Sequence, residues 1–201
     1  MKRIYSKLRQ TTLWRLRLLI AIKILGGKKI KLIVDGTILP VANVNRARTQ
    51  RIKRFGGKVF WTKRQKKLCS VHYRKYVEFE EVYYGVLVMV LCDENGVVYV
   101  WFTYGNMHES KAYGIRKTKS KWFKELVESH EVYGDKAYKY VEGVKACSRR
   151  NEKGMRQVVE GVIGAVKSFN VVSRWRKGIT LLCYVYAYSI AYSFFRRKNA
   201  G

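Results

Sequence analysis

The sequence predicts an α/β domain built on a mixed sheet, and three observations predict it. An apolar run, Lys31-Leu32-Ile33-Val34, ends at Asp35-Gly36. Two longer apolar runs, Tyr83 to Cys92 and Val97 to Tyr104, flank Asp93-Glu94-Asn95-Gly96, whose Asn-Gly pair is a strong hairpin signal. A further short run, Glu131 to Gly134, follows a helical segment and ends at Asp135. Strand, antiparallel pair, helix, strand and then helices is the order of an α/β fold with a mixed sheet.

Taken in order, residues 1–27 read as a basic amphipathic helix, with Leu13, Leu16, Ile20 and Ile24 at helical spacing and Gly26-Gly27 as its stop. Lys29 to Val34 reads as a strand. From about 42 to 75 the chain reads as a basic, loop-like insertion in a domain spanning 28–201. Arg46, Arg48, Arg51, Lys53, Arg54 and Lys58 lie there, interleaved with Phe55, Phe60, Trp61, Tyr73 and Tyr76. Such a mixture suits a surface that stacks on bases and neutralises phosphates, and equally an insert whose aromatics cover the core. The hairpin strands come next, and Asp93 reads as a turn residue. Residues 105–110 read as a loop, followed by a basic segment and a helix around Lys121 to Ser129. Glu152 to Phe169 is helical, and Ile179 to Arg197 forms a terminal apolar helix.

Composition narrows the partners. The 201-residue chain carries 42 Lys and Arg against 14 Asp and Glu, a formal charge of +28, spread along its whole length. A folded domain with that field binds polyanions through counterion release. At 48% hydrophobic, with one proline, the chain has enough apolar residues for one ordinary core. The four cysteines, 69, 92, 147 and 183, form no C-x-x-C pair, so neither a disulfide framework nor a zinc knuckle is indicated. Cys69 and His72 lack a partner pair at matching spacing. Ile179 to Phe195 is uncharged for 17 residues, at the short limit for a membrane span, and carries four tyrosines and two serines. A buried terminal helix is the better account, and no membrane association is expected.

Against this cationic background three acids stand out. Asp35 and Asp135 end apolar strand-like runs, and Glu160 lies on a helix. Two aspartates and a glutamate so placed can converge on divalent metals, since hard cations take oxygen ligands and a pair of them clamps a phosphate for in-line displacement. On that helix Arg156 and Glu160 are four apart and share a face, with Lys167 nearly two turns beyond Glu160.

These residues resemble the catalytic domain of insertion-sequence DDE transposases, which has a ribonuclease H-like mixed sheet flanked by helices. The resemblance runs from about residue 28. It rests on Ile33-Val34-Asp35-Gly36-Thr37, on Thr103-Tyr104-Gly105-Asn106-Met107-His108-Glu109, on Tyr133-Gly134-Asp135-Lys136-Ala137-Tyr138, and on Arg156, Glu160 and Lys167 as an R-x3-E-x6-K signature. Two positions depart from the family pattern: Lys153 stands where a tyrosine is usual, and Glu109 where an aspartate usually follows the histidine. Only 34 residues precede Asp35, which implies a shortened N-terminal region, with 1–27 as a remnant of a DNA-binding part.

The resemblance implies metal-dependent phosphodiester hydrolysis followed by strand transfer. Asp35, Asp135 and Glu160 would hold two Mg²⁺ (or Mn²⁺) ions, which activate a water or a DNA 3′-hydroxyl and stabilise the leaving oxygen. Arg156, Lys167, Lys136, Arg51 and Arg54 would contact DNA phosphates without reading sequence. His108 would either assist near the scissile phosphate or serve as a structural loop histidine. The implied partners are double-stranded DNA, as element ends and target, and a second copy of the chain, with a cytoplasmic, nucleoid-associated location. The alternatives are a nuclease of the same fold and a truncated, inactive DNA-binding remnant.

Overall fold

A computed structural model describes residues 29–43, 70–75, 80–96, 98–104, 107–147, 153–168, 185–193 and 195. The expected N-terminal helix, and Arg51 and Arg54 of the basic insertion, lie outside the described residues.

The fold is α/β. Strands β1 (Lys31–Asn43), β2 (Ser70–Lys75), β3 (Glu80–Asp93), β4 (Val98–Tyr104), β5 (Glu131–Gly134) and β6 (Val144–Ala146) form one six-stranded mixed sheet. Helices α1 (Glu109–Lys119) and α2 (Lys121–Ser129) sit between β4 and β5. Helix α3 (Lys153–Ser168) follows β6, and residues 185–193 form a further helix, α4.

The central strand β1 runs antiparallel to β3 and parallel to β5, and β5 runs parallel to β6. The other edge of β3 is shared. Its first half pairs with β2 and its second half with β4, both antiparallel. The hairpin joining β3 to β4 closes as the Asn-Gly pair predicts. Gly96 takes φ 79°, its N–H donates to the Asp93 carbonyl at 3.0 Å, and the Asp93 side chain accepts from Asn95 N–H. Asp93 is thus a turn residue.

Alternation along each strand sends side chains to two cores. On one face Leu32, Val34, Leu87, Met89, Leu91, Tyr99 and Trp101 meet Ala112 and Tyr113 of α1 and Phe123, Leu126 and Val127 of α2. On the other face Ile33, Leu39, Val86, Val88, Val90 and Val100 meet Val159, Val162, Ile163 and Val166 of α3. Burial on both faces explains why β1 and β3 read as continuous apolar runs rather than as alternating ones. The 159, 162, 163, 166 spacing is one helical face.

Four expectations are corrected. β1 does not end at Asp35-Gly36 but continues to Asn43, held by β3 through a register shift at Pro40/Ala42. The 42–75 segment is not wholly loop-like, because Ser70–Lys75 is a strand. The basic segment after residue 108 is a helix, α1. Finally, β6 is an additional strand, and it extends the sheet beyond β5.

Candidate functional site

The site grows out of the place where β1 and β5 part. Their parallel pairing covers Lys31↔Glu131 through Val34↔Gly134 and then stops. The next residues of the two strands are Asp35 and Asp135, so both aspartates emerge side by side at the same level. Only β5 ends here, while β1 runs on to Asn43 against β3, so Asp35 sits inside a strand whose β5-side edge has just been left open.

Asp35 shares strand parity with Ile33, which places it on the α3 face opposite Val90 of β3. Its Oδ1 accepts from Gly36 N–H at 2.8 Å. Burial pushes the Asp35 carboxyl above the ordinary carboxylate range, and the Gly36 hydrogen bond works against this. The negative charges of Asp135 and Glu160 push it up further, while Arg156 pulls it down. All three of these side chains therefore lie within electrostatic reach of Asp35. Asp135 caps the 3₁₀ turn Lys136–Tyr138, its Oδ1 accepting from Ala137 N–H at 2.7 Å.

Glu160 extends from α3, and its Oε1 accepts from Arg156 Nε at 2.8 Å, with both side chains more than half exposed. Four apart on one helical face, the two side chains pair with each other rather than standing open to a metal and a phosphate. Lys167 lies in the last turn of the same helix, and Lys136 is exposed beside Asp135. His108 caps the start of α1, and its Nδ1 is 2.7 Å from Ser110 Oγ, a local structural bond.

The donor set is all carboxylate oxygen, which fits a hard divalent cation and not a soft one. As placed, no three His, Cys, Asp or Glu side chains among the described residues stand at ligand spacing. Glu160 is held by Arg156 and would have to swing toward the aspartates to share an ion with them.

A fourth carboxylate that the sequence reading left without a role stands here too. An ideal Cβ on Gly36 would lie 2.7 Å from Glu109 Cδ and 2.9 Å from Glu109 Oε1, so the Glu109 carboxyl lies directly over Gly36. Gly36 has the parity of Val34, so Glu109 comes from the α1 face, opposite α3. The same happens beside the second aspartate, where a Cβ on Gly134 would meet the Tyr138 ring at 2.8 Å. The legible signal was a glycine adjoining each aspartate.

Among the described residues no helix is long and apolar enough to cross a membrane. Compared with family models, curated proteins and solved structures, the chain has no match.

Proposed function

We propose that this chain is a divalent-cation-dependent enzyme that cuts and joins DNA strands, a DDE transposase of ribonuclease H-like fold. The observation that carries the reading is the level emergence of Asp35 and Asp135 from adjacent parallel strands, with Glu160 in electrostatic reach on the face Asp35 occupies. The mixed sheet and the net charge of +28 support it.

A bound pair of Mg²⁺ or Mn²⁺ ions would supply activation of the attacking oxygen and stabilisation of the leaving one. The chain's part is to hold and orient. The Gly36 and Ala137 amides fix one oxygen of each aspartate. Glu160, once turned from Arg156, completes the set, and Arg156 is then free to face a phosphate. Lys136, Lys167, Arg51 and Arg54 would neutralise the backbone beside the cut. No protein nucleophile is needed: burial holds the Cys92 thiol and the Tyr138 phenol protonated far above neutral pH. The proposed working form is a homodimer on paired DNA ends.

The Arg156–Glu160 bond and the spacing of the carboxylates favour a second reading, a protein that binds DNA without cutting it. Supercoiled plasmid with Mg²⁺, Mn²⁺ or EDTA, beside Asp35→Ala, Asp135→Ala and Glu160→Ala, separates the two. Metal-dependent nicking lost in every variant, with mobility-shift binding retained, is the expected result. Joined products distinguish a transposase from a nuclease of the same fold. Salt-sensitive binding with no cutting under any metal establishes the second reading.

A further inference from the structure

We propose that Tyr140 is a stacking platform for an unpaired base of a DNA strand, with Lys136 and Lys139 meeting that strand's phosphates. The inference rests on the nucleic-acid part of the reading above and not on cutting. It adds to that reading an aromatic contact that net charge does not supply.

A lone exposed tyrosine is ordinary on a protein surface. Three observations set this one apart. The first is its exposure: Tyr140 is 90% exposed, against 64% for Phe195, the other exposed large hydrophobic side chain among the described residues. The second is that it stands on a turn closed by the backbone at both ends. The Asp135 carbonyl accepts from Tyr138 N–H at 3.1 Å, the Tyr138 carbonyl accepts from Val141 N–H at 2.8 Å, and Cys147 N–H donates to the Gly134 carbonyl at 2.7 Å. Two residues before Tyr140, Tyr138 is 0% exposed and packs edge-on against Tyr113 of α1, with ring centroids 6.2 Å apart. One tyrosine anchors the turn, and the turn holds the other out in water.

The third observation is charge. From 136 to 146 the chain carries Lys136, Lys139 and Lys145 against a single acid, Glu142. Lys136 and Lys139 are exposed, and Lys139 Nζ lies 5.5 Å from the centroid of the Tyr140 ring. Lys145 remains 59% exposed while pairing with Glu131 at 3.1 Å. Lys117 of α1 reaches the same turn, since a Cβ on Gly143 would lie 3.7 Å from its Nζ, and it pairs with Glu128 at 3.3 Å.

A ring beside exposed ammonium groups is the pairing that single strands select, because the cations take the phosphates and the ring takes a base. A phosphate drawn to the Lys139 ammonium brings its own base to the Tyr140 ring. Bases within a duplex stack on one another and present only their edges in the grooves, so an exposed ring finds a free face only on an unpaired base. The turn opens at Asp135, five residues before Tyr140, so a strand seated there lies beside the candidate site.

Fluorescence anisotropy with labelled single-stranded oligothymidylate, and with a duplex of the same length, tests this without reference to cleavage. The proteins are wild type, Tyr140→Ala, Tyr140→Phe and Lys139→Ala, and the exposure of both side chains leaves the core of each variant intact. Tyr140→Ala should weaken single-strand binding by about 5- to 150-fold, the effect of removing one stacking aromatic, and leave duplex binding unchanged. Tyr140→Phe should bind the single strand as wild type does. The salt slope should persist in Tyr140→Ala and fall by about 0.7 in Lys139→Ala, the share of one phosphate contact. Single-strand binding unchanged in Tyr140→Ala overturns the inference and leaves the cutting reading standing. Equal losses on single strand and duplex overturn it too, as does a Tyr140→Phe variant as weak as Tyr140→Ala, which would assign the effect to the hydroxyl. A dimer lost in Tyr140→Ala by sedimentation, with single-strand affinity kept, would make the ring a contact between copies instead. Wild type that binds neither form of DNA overturns this inference and the proposed function together, whereas the expected losses in a protein that never nicks plasmid sustain this inference alone.

Discussion

Asp35 destabilises the protein that surrounds it. Its carboxyl is raised chiefly by burial and then by the like charges of Asp135 and Glu160, so ionising it costs more in the folded chain than in the unfolded one. An acid raised in this way leaves stability untouched below the unfolded pKa and lowers it as pH rises through the folded value. Asp35→Asn should therefore melt above wild type in EDTA at pH 7, with the gap shrinking as pH falls toward 4. Equal gaps in differential scanning calorimetry at both pH values would show that the charge is not the cause. Mn²⁺ should raise the wild-type melting temperature and leave that of Asp35→Asn unmoved. The three acids themselves were legible from sequence, because acids are few here and two of them end apolar runs. Glu109 was not, since its approach depends on a missing Cβ on a strand 73 positions earlier, and spacing along the chain carries no trace of that contact.

Helix α3 presents two characters along its length. One face buries Val159, Val162, Ile163 and Val166 against the sheet, and the exposed face carries Arg156 and Glu160. Gly161 and Gly164 interrupt it, and an added Cβ at either meets nothing within 4 Å. Glycine inside a helix costs roughly 0.5–1 kcal/mol relative to alanine. Gly161→Ala and Gly164→Ala should each stabilise by about that amount in urea melts. A loss of stability at either would mean that the helix packs there against something the open space conceals. Elements were legible in proportion to their apolar signal. α3, β3, β4 and the hairpin carry strong periodicity or turn chemistry. α1 does not: only Ala112 and Tyr113 are buried among its three lysines and one arginine, too few to set a period. The second half of β1 was hidden by Asp35-Gly36, a polar pair that reads as a strand end, whereas the strand runs on past it against β3 to Asn43. β6 has three residues, none fully buried, and nothing in its side chains announces a strand.

For the molecule as a whole, the charge of +28 governs how it meets a partner. If DNA lies along the site, neutralising about six to ten phosphates, affinity should fall by about 10³ to 10⁵ between 50 and 200 mM salt. Fluorescence anisotropy with a labelled duplex measures this, and a slope near zero would remove DNA as the partner whatever the carboxylates do. Charge and fold class were both legible from composition and element order. The two-sided layering was not, because which helix covers which face depends on connections that only tertiary packing decides.

The parallel pairing of β1 with β5 also has a consequence in time. Asp35 and Asp135 are separated by a hundred residues of chain, and Glu160 comes later still. Contacts between such distant segments carry the largest loop-closure cost and form slowly. A ribosome making this protein therefore releases β1 long before β5 exists to register it. On the proposed reading, the nascent basic chain would acquire affinity for nucleic acid early and the means to cut it last. The candidate site itself is complete only after α3, the last of its three elements, has emerged.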